Sequence, residues 1–181
     1  GAKYDSKAFQ KSVGLNGVGT KAVNALSNYF KVTAFRDGKE KTAEFERGVL
    51  TQEHKEVKTT EDNGTLVTFV PDDKIFKNFH FVQEYLDNQF WNYCYLNAGL
   101  VMNLNNKRYV SKNGLLDLLQ RKTNEDEIRY PIIHLKGEDI EIALTHENDY
   151  GEEYYSFVNG QFTTQGGTHL AAFREAFVKT I

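Results

Sequence analysis

Three glycines in six positions, Gly14-Leu15-Asn16-Gly17-Val18-Gly19, stand directly ahead of a stretch in which Val23, Leu26 and Phe30 recur at helical intervals. Ala22 and Ala25 add helix propensity, so the spacing predicts a helix from Thr20 to about Phe30. A loop so rich in glycine can adopt positive φ and leaves its amides unshielded by Cβ atoms. A helix that starts at once points its unpaired N–H groups and the positive end of its dipole into that loop. In physical terms this is a phosphate site. The plainer alternative is a turn whose glycines only tighten the entry to a helix, because glycine spacing alone is a weak motif.

Two better-known phosphate motifs do not fit. A Walker loop ends in Gly-Lys-Ser/Thr, whereas Gly19-Thr20-Lys21 reverses that order. A dinucleotide fingerprint reads G-x-G-x-x-G after an apolar strand, and here G-x-x-G-x-G follows Phe9-Gln10-Lys11-Ser12-Val13. Asp37 stands where a ribose-binding acid would fall, yet Gly38 beside it marks a turn. Residues 1–12 are polar and basic, with Lys3, Lys7 and Lys11 evenly spaced, and read as a loop or lid.

Beyond the first helix the pattern changes period. Val32–Phe35 and Thr42–Glu46 read as strands joined through Asp37-Gly38, a strong hairpin signal. Val49 to Val57 is a third strand and Thr65 to Val70 a fourth, ended by Pro71. Val82, Tyr85, Leu86, Phe90, Tyr93 and Leu96 mark a long amphipathic helix from Phe81 to Leu96, expected to pack across a sheet. A hairpin about Asn105-Asn106 and a short helix over Leu115–Arg121 follow.

The polar stretch 122–127 has no apolar anchor and is the candidate boundary. Past it, Tyr130–Leu135 and Asp139–Thr145 form a hairpin, Tyr155–Asn159 a strand, and a helix begins after Gly166-Gly167-Thr168. The expectation is an α+β chain of two units, 1–121 and 124–181.

Net charge is −3, so no bulk positive field drives the chain onto nucleic acid or anionic membrane, and any polyanion must be met locally. Cys94 is the single cysteine, which excludes an internal disulfide and fits a packed thiol in a reducing cytoplasm. No apolar run approaches the roughly 20 residues that cross a bilayer, and the first residues lack the apolar centre of a signal peptide. The sequence starts without Met and holds only Met102, so the expectation is a piece of a longer or processed protein.

Other chemistry is thinly represented. His54, His80, His134, His146 and His169 show no metal-ligand spacing, and His169 is placed to pack or cap the glycine turn before the last helix. Glu138, Glu141, Glu147, Asp149, Glu152 and Glu153 sit on hairpin strands and turns, which argues for solvated faces rather than a hydrolytic carboxylate pair. Phe90, Trp91, Tyr93 and Tyr95 fall at helical spacing and read mainly as core. Lys107, Arg108, Lys112, Arg121 and Lys122 form the one sizeable basic cluster, either a solvated face or a DNA-facing one.

Three segments together resemble one family. Ser12 to Ser27 closely resembles the lid and helix of the ATPase (B) subunit of bacterial type IIA topoisomerases, DNA gyrase and topoisomerase IV. Ser156-Phe157-Val158-Asn159 followed by Gly166-Gly167-Thr168-His169-Leu170-Ala171-Ala172-Phe173-Arg174 is similar to the strand, glycine pair and helix of that subunit's transducer domain. Between them, Asn63 to Phe69 resembles a late strand of the ATPase domain.

The resemblance implies the distal part of a GHKL-type ATPase sandwich followed by the first part of a transducer domain with a ribosomal-protein-S5-like α+β fold. It implies ATP as ligand, with Lys3, Leu15, Asn16, Gly17, Val18 and Gly19 at the phosphates and Thr65 at the adenine pocket, directly or through water. It further implies Mg2+, DNA, a DNA-cleaving A subunit and a homodimer of B subunits in the parent protein, in the cytoplasm. Asn16 departs from the family's usual histidine, and Phe9 stands where a tyrosine is common. The family's general-base glutamate, its magnesium-binding asparagine and its adenine-binding aspartate all lie upstream of the lid, and its phosphate-reaching lysine lies beyond the last segment matched. On this reading no catalytic residue or metal ligand falls within the chain, and the segment alone does not hydrolyse ATP. The alternative is a non-catalytic α+β binding or scaffold module whose glycine turn is structural.

Overall fold

The computed structural model describes residues 16–180. The chain divides into two compact units, the first ending at Phe81 and the second beginning at Val82. The charged stretch 122–127 lies inside the second.

The first unit opens with α1 (Gly19–Ala25), followed by β1 (Ser27–Arg36), β2 (Lys39–Glu46), β3 (Val49–Glu53), β4 (Val57–Lys58) and β5 (Gly64–Pro71). All pairings are antiparallel, in the order β3-β2-β1-β5, with β4 beside β2. Asp37 and Gly38 both take positive φ, 52° and 74°, which matches the twist of the strands they join and sets Arg36 opposite Lys39. Phe30 is the buried anchor, edge-on to Phe45 with ring centroids 6.0 Å apart.

Two expectations need correction here. The first helix stops at Ala25, and Ser27 already belongs to β1. The carbonyls that a continuing helix would offer to the amides of Phe30 and Lys31 are taken: Leu26 O by the amide of Asp72 at 2.9 Å and Ser27 O by the amide of Arg47 at 2.8 Å. Ser27 Oγ donates to Val23 O at 2.6 Å, and Tyr29, Phe30 and Val32 are good strand formers. The expected third strand is likewise broken. β3 pairs with Ala43–Glu46 and β4 with Lys39–Glu40, while between them the His54 ring bonds to Glu44 Oε1 at 2.8 Å.

The second unit holds α2 (Gln83–Leu96), β6 (Val101–Leu104), β7 (Lys107–Val110), α3 (Leu115–Lys122), β8 (Ile133–Lys136), β9 (Glu141–Leu144), β10 (Phe157–Val158), β11 (Gln161–Phe162) and α4 (Thr168–Thr180). The strands form three separate antiparallel hairpins. The long helix therefore packs on a two-stranded ribbon, β6–β7, and on α3. Cys94 and Tyr109 are fully buried there, with Tyr95 and Leu118 nearly so. Trp91 stacks on Tyr95 at 5.4 Å and meets Tyr109 edge-on, with the Arg121 guanidinium 4.5 Å over its ring. Tyr155–Asn159 supplies only the two-residue β10, folded back on β11 through Asn159-Gly160 at φ 48° and 85°. Among the described residues no helix is long and apolar enough to cross a membrane.

Candidate functional site

The glycine segment enters α1 as follows. Gly17 takes φ +63°, the left-handed region open to glycine, and Val18 is the N-cap, with the amide of Ala22 reaching its carbonyl at 2.9 Å. Among the described residues no side chain caps this end, and no acid stands in the first turn. A Cβ on Gly17 or Gly19 would meet nothing within 4 Å among the described residues. Among the described residues it is the positive φ, and not crowding, that favours glycine at position 17. Lys3 and Leu15 lie outside the described residues.

Thr65 is exposed on β5, opposite Ala34. By register it shares a sheet face with Val67 and Phe69, and with Ala34, Val32 and Phe30 of β1. Ala34 lies seven residues along β1 from Ser27, roughly 23 Å at about 3.3 Å per residue. The seven residues of α1 span only about 10 Å, so the glycine segment and Thr65 are two separate places on the unit.

A pair that the sequence does not advertise sits at the other end of α1. Asp72 is 2% exposed and accepts from Arg47 Nε at 2.5 Å and from the amide of Lys74 at 3.0 Å. The guanidinium, with that amide, holds its carboxyl below the ordinary carboxylate value against the opposing effect of burial. Arg47 follows a strand and precedes a glycine, which signals a turn, but its partner lies far along the chain and no local pattern links the two.

The five histidines, and part of the acidic and basic clusters, are engaged in the structure's own bonding. The five histidine rings bond to Glu44 (2.8 Å from His54), Asn78 O (3.1 Å from His80), Glu141 (2.9 Å from His134), Tyr130 (3.4 Å from His146) and Ser156 (2.6 Å from His169). Glu141 departs from the solvated acidic face expected of it: it is half-buried, and its Oε1 also accepts from the amide of Leu115 at 3.4 Å. Of the basic cluster, Lys107 pairs with Asp87 at 2.9 Å and Lys122 lies over the Tyr155 ring at 5.2 Å.

Comparison with known proteins shows what this architecture resembles. The fold matches the 43K ATPase domain of Thermus thermophilus gyrase B, solved with an aminocoumarin, at a TM-score of 0.73 and 30% identity, over 89% of this chain and 48% of that one. It also matches the B subunit of Myxococcus xanthus DNA gyrase at a TM-score of 0.70 and 22% identity, over 83% of this chain and 48% of that one. The chain thus has the α+β fold of the gyrase B ATPase region. Residues 95–181 match the DNA gyrase B family model. The whole chain is 48% identical to part of the B subunit of Borreliella burgdorferi DNA topoisomerase 4, and 33% identical to part of the B subunit of Helicobacter pylori DNA gyrase. By these matches the chain is similar to part of the B subunits of DNA gyrase and topoisomerase IV. It spans 30% of the length of the Borreliella protein and 25% of the Helicobacter one.

Proposed function

We propose that this chain is a segment of the ATP-hydrolysing subunit of a type II DNA topoisomerase, which couples ATP binding and hydrolysis to the passage of one DNA duplex through another. Residues 1–121 are assigned to the ATPase domain with its ATP lid, and 124–181 to the start of the transducer domain. Lys3, Leu15, Asn16, Gly17, Val18 and Gly19 contact the ATP phosphates, and Thr65 lies toward the adenine end. A nucleotide has two distant ends, which suits two separate places on the unit. Within this chain the contribution is positional and electrostatic: bare amides oriented on phosphate oxygens, with no proton moved by any of these residues.

The observation that carries the reading is the glycine segment itself, where Gly17 at φ +63° leads the backbone into α1 and no other described residue would meet a Cβ there. Its support from outside is the 48% identity to a topoisomerase IV B subunit over the full length of the chain. The resemblance puts the magnesium-binding asparagine upstream of the lid, so magnesium belongs with the parent protein's ATP and not with a side chain of this segment. The DNA, the A subunit and the second B subunit are partners of the parent protein in the cytoplasm, and the segment alone is inactive.

The test compares DNA-stimulated ATP hydrolysis by the full-length subunit carrying this segment with that of its Gly17→Ala variant. The expected result is a raised KM for ATP, because alanine resists φ +63° and carries a Cβ into the approach path. Unchanged turnover and KM would sink the phosphate assignment.

A further inference from the structure

Three crossings of the chain meet at the last turn of α1. The amide of Asp72, just past β5, donates to Leu26 O at 2.9 Å, and the amide of Arg47, in the β2–β3 turn, donates to Ser27 O at 2.8 Å. The two donors are themselves joined, side chain to side chain, by Arg47 Nε and Asp72 Oδ2 at 2.5 Å. The next residue, Gly48, presses the same turn onto α1: a Cβ there would stand 3.4 Å from Ala25 Cα. So the three segments that leave α1, turn beside it and return past it are locked at one point.

The lock has features of a device rather than a surface ion pair. Asp72 is buried, and a buried carboxylate is tolerated only when paired and hydrogen-bonded, as it is here twice over. Arg47 holds φ +48°, a region that non-glycine residues seldom occupy, and in this conformation its amide reaches Ser27 while its guanidinium reaches Asp72. Exposed pairs such as Lys39–Glu56 or Lys41–Glu53 in the same unit show neither burial nor backbone distortion.

We infer that Arg47 and Asp72 are positioning residues for the glycine segment, acting through α1. This rests on the phosphate reading given above and extends it to residues that touch no nucleotide. The geometry explains the reach. Seven helical residues span about 10 Å, so a tilt of about 10° at the locked end moves Gly19 by about 2 Å. A displacement of that size at a site that works by orientation is enough to weaken it by one to two orders of magnitude.

The experiment uses the full-length subunit carrying this segment, with Arg47→Gln, Asp72→Asn and the milder Arg47→Lys, and Gly17→Ala as the reference for the site itself. Steady-state ATP hydrolysis and amide exchange across residues 20–34 are measured on each. The expected result is a KM for ATP raised about tenfold in Arg47→Gln and Asp72→Asn with kcat within about twofold, and a smaller rise in Arg47→Lys, which keeps the charge. Exchange in α1 quickens while Phe30–Ala34 of β1 stay protected. A purely structural pair would lower activity in step with folded fraction and leave KM alone, and that result overturns the inference. So does an unchanged KM with α1 exchange unaltered. If Asp72→Asn fails to fold, Arg47→Lys carries the same comparison. Should Gly17→Ala raise KM while the Arg47 and Asp72 variants do not, the positioning role fails alone; should Gly17→Ala have no effect, the phosphate reading falls and the positioning role with it.

Discussion

Ser156 Oγ lies 2.6 Å from His169 Nε2, so the approach to β10 and the first turn of α4 are joined by one hydrogen bond. Ser156 is 7% exposed, and Thr163 Oγ1 stands 2.8 Å from the same hydroxyl. His169 also fills the space over Gly167, where a Cβ would stand 3.0 Å from its ring. Replacing His169 by Ala leaves a nearly buried hydroxyl short of a partner, and the expected loss of stability is about 1–2 kcal/mol. Urea unfolding followed by far-ultraviolet dichroism measures it. A double-mutant cycle with Ser156→Ala should return a coupling of about 1 kcal/mol, and additive losses would show that the bond contributes nothing.

Cys94 is fully buried in α2, and burial pushes its thiol above the ordinary value, against a weaker opposing hydrogen bond involving the Met102 backbone. A buried, protonated thiol is a poor nucleophile. The native protein is therefore expected to resist an aromatic disulfide reagent at neutral pH, and to react with one equivalent when denaturant is added. Rapid stoichiometric reaction in native buffer would contradict the packing of α2 on β6–β7.

What can be read from the sequence divides along the range of the interactions involved. The hairpin at Asp37-Gly38 and the helix ending at Leu96 are legible because turn chemistry and helical period are local. The end of α1 is not, because the amides that claim Leu26 O and Ser27 O arrive from Asp72 and Arg47, and no periodicity records a competitor so distant. The same holds for the site. The glycine segment is legible as a place that can take positive φ, though not that Gly17 is where it does, whereas Arg47 and Asp72 look in the sequence like ordinary turn charges. Glu141 reads as solvated because its strand alternates, yet the start of α3, Gly114-Leu115, comes to lie against its carboxylate.

Gly114 provides a sharper test of that last contact. It is the N-cap of α3 at φ 64° and ψ −125°, a conformation essentially reserved for glycine. A Cβ there would stand 2.9 Å from Glu141 Oε1 and 3.1 Å from Tyr95 O, and the second of these is backbone that cannot swing aside. Gly114→Ala is expected to destabilise the second unit by about 2–3 kcal/mol, combining backbone strain with displacement of Glu141. Thermal unfolding measures the loss, and a shift within the scatter of replicate melts would rule out this conformation at residue 114.

Asp72 contributes to the acid response of the first unit beside Glu44 and Glu53, whose carboxyls His54 and Lys41 hold below the ordinary value. The Asp72 carboxyl is held below its ordinary value of 3.8, chiefly by Arg47 and next by the amide of Lys74. A folded value below the unfolded one means that the carboxylate favours folding, with the full effect present above the unfolded value and lost as pH falls through the folded one. Between about pH 7 and pH 5 the pair is intact and stability from this source is flat. Below about pH 4 the unfolded chain takes up a proton that the folded chain refuses, and the advantage drains away. Asp72→Asn cannot ionise and should be less stable than the parent at neutral pH, with the difference shrinking steadily once the pH drops below about 4. Denaturant midpoints measured for both proteins from about pH 7 to pH 3 decide the matter. A gap that stays constant across the range would mean that the charge on Asp72 is not what the Arg47 turn is holding, and would leave only the neutral hydrogen bonds to lock the end of α1.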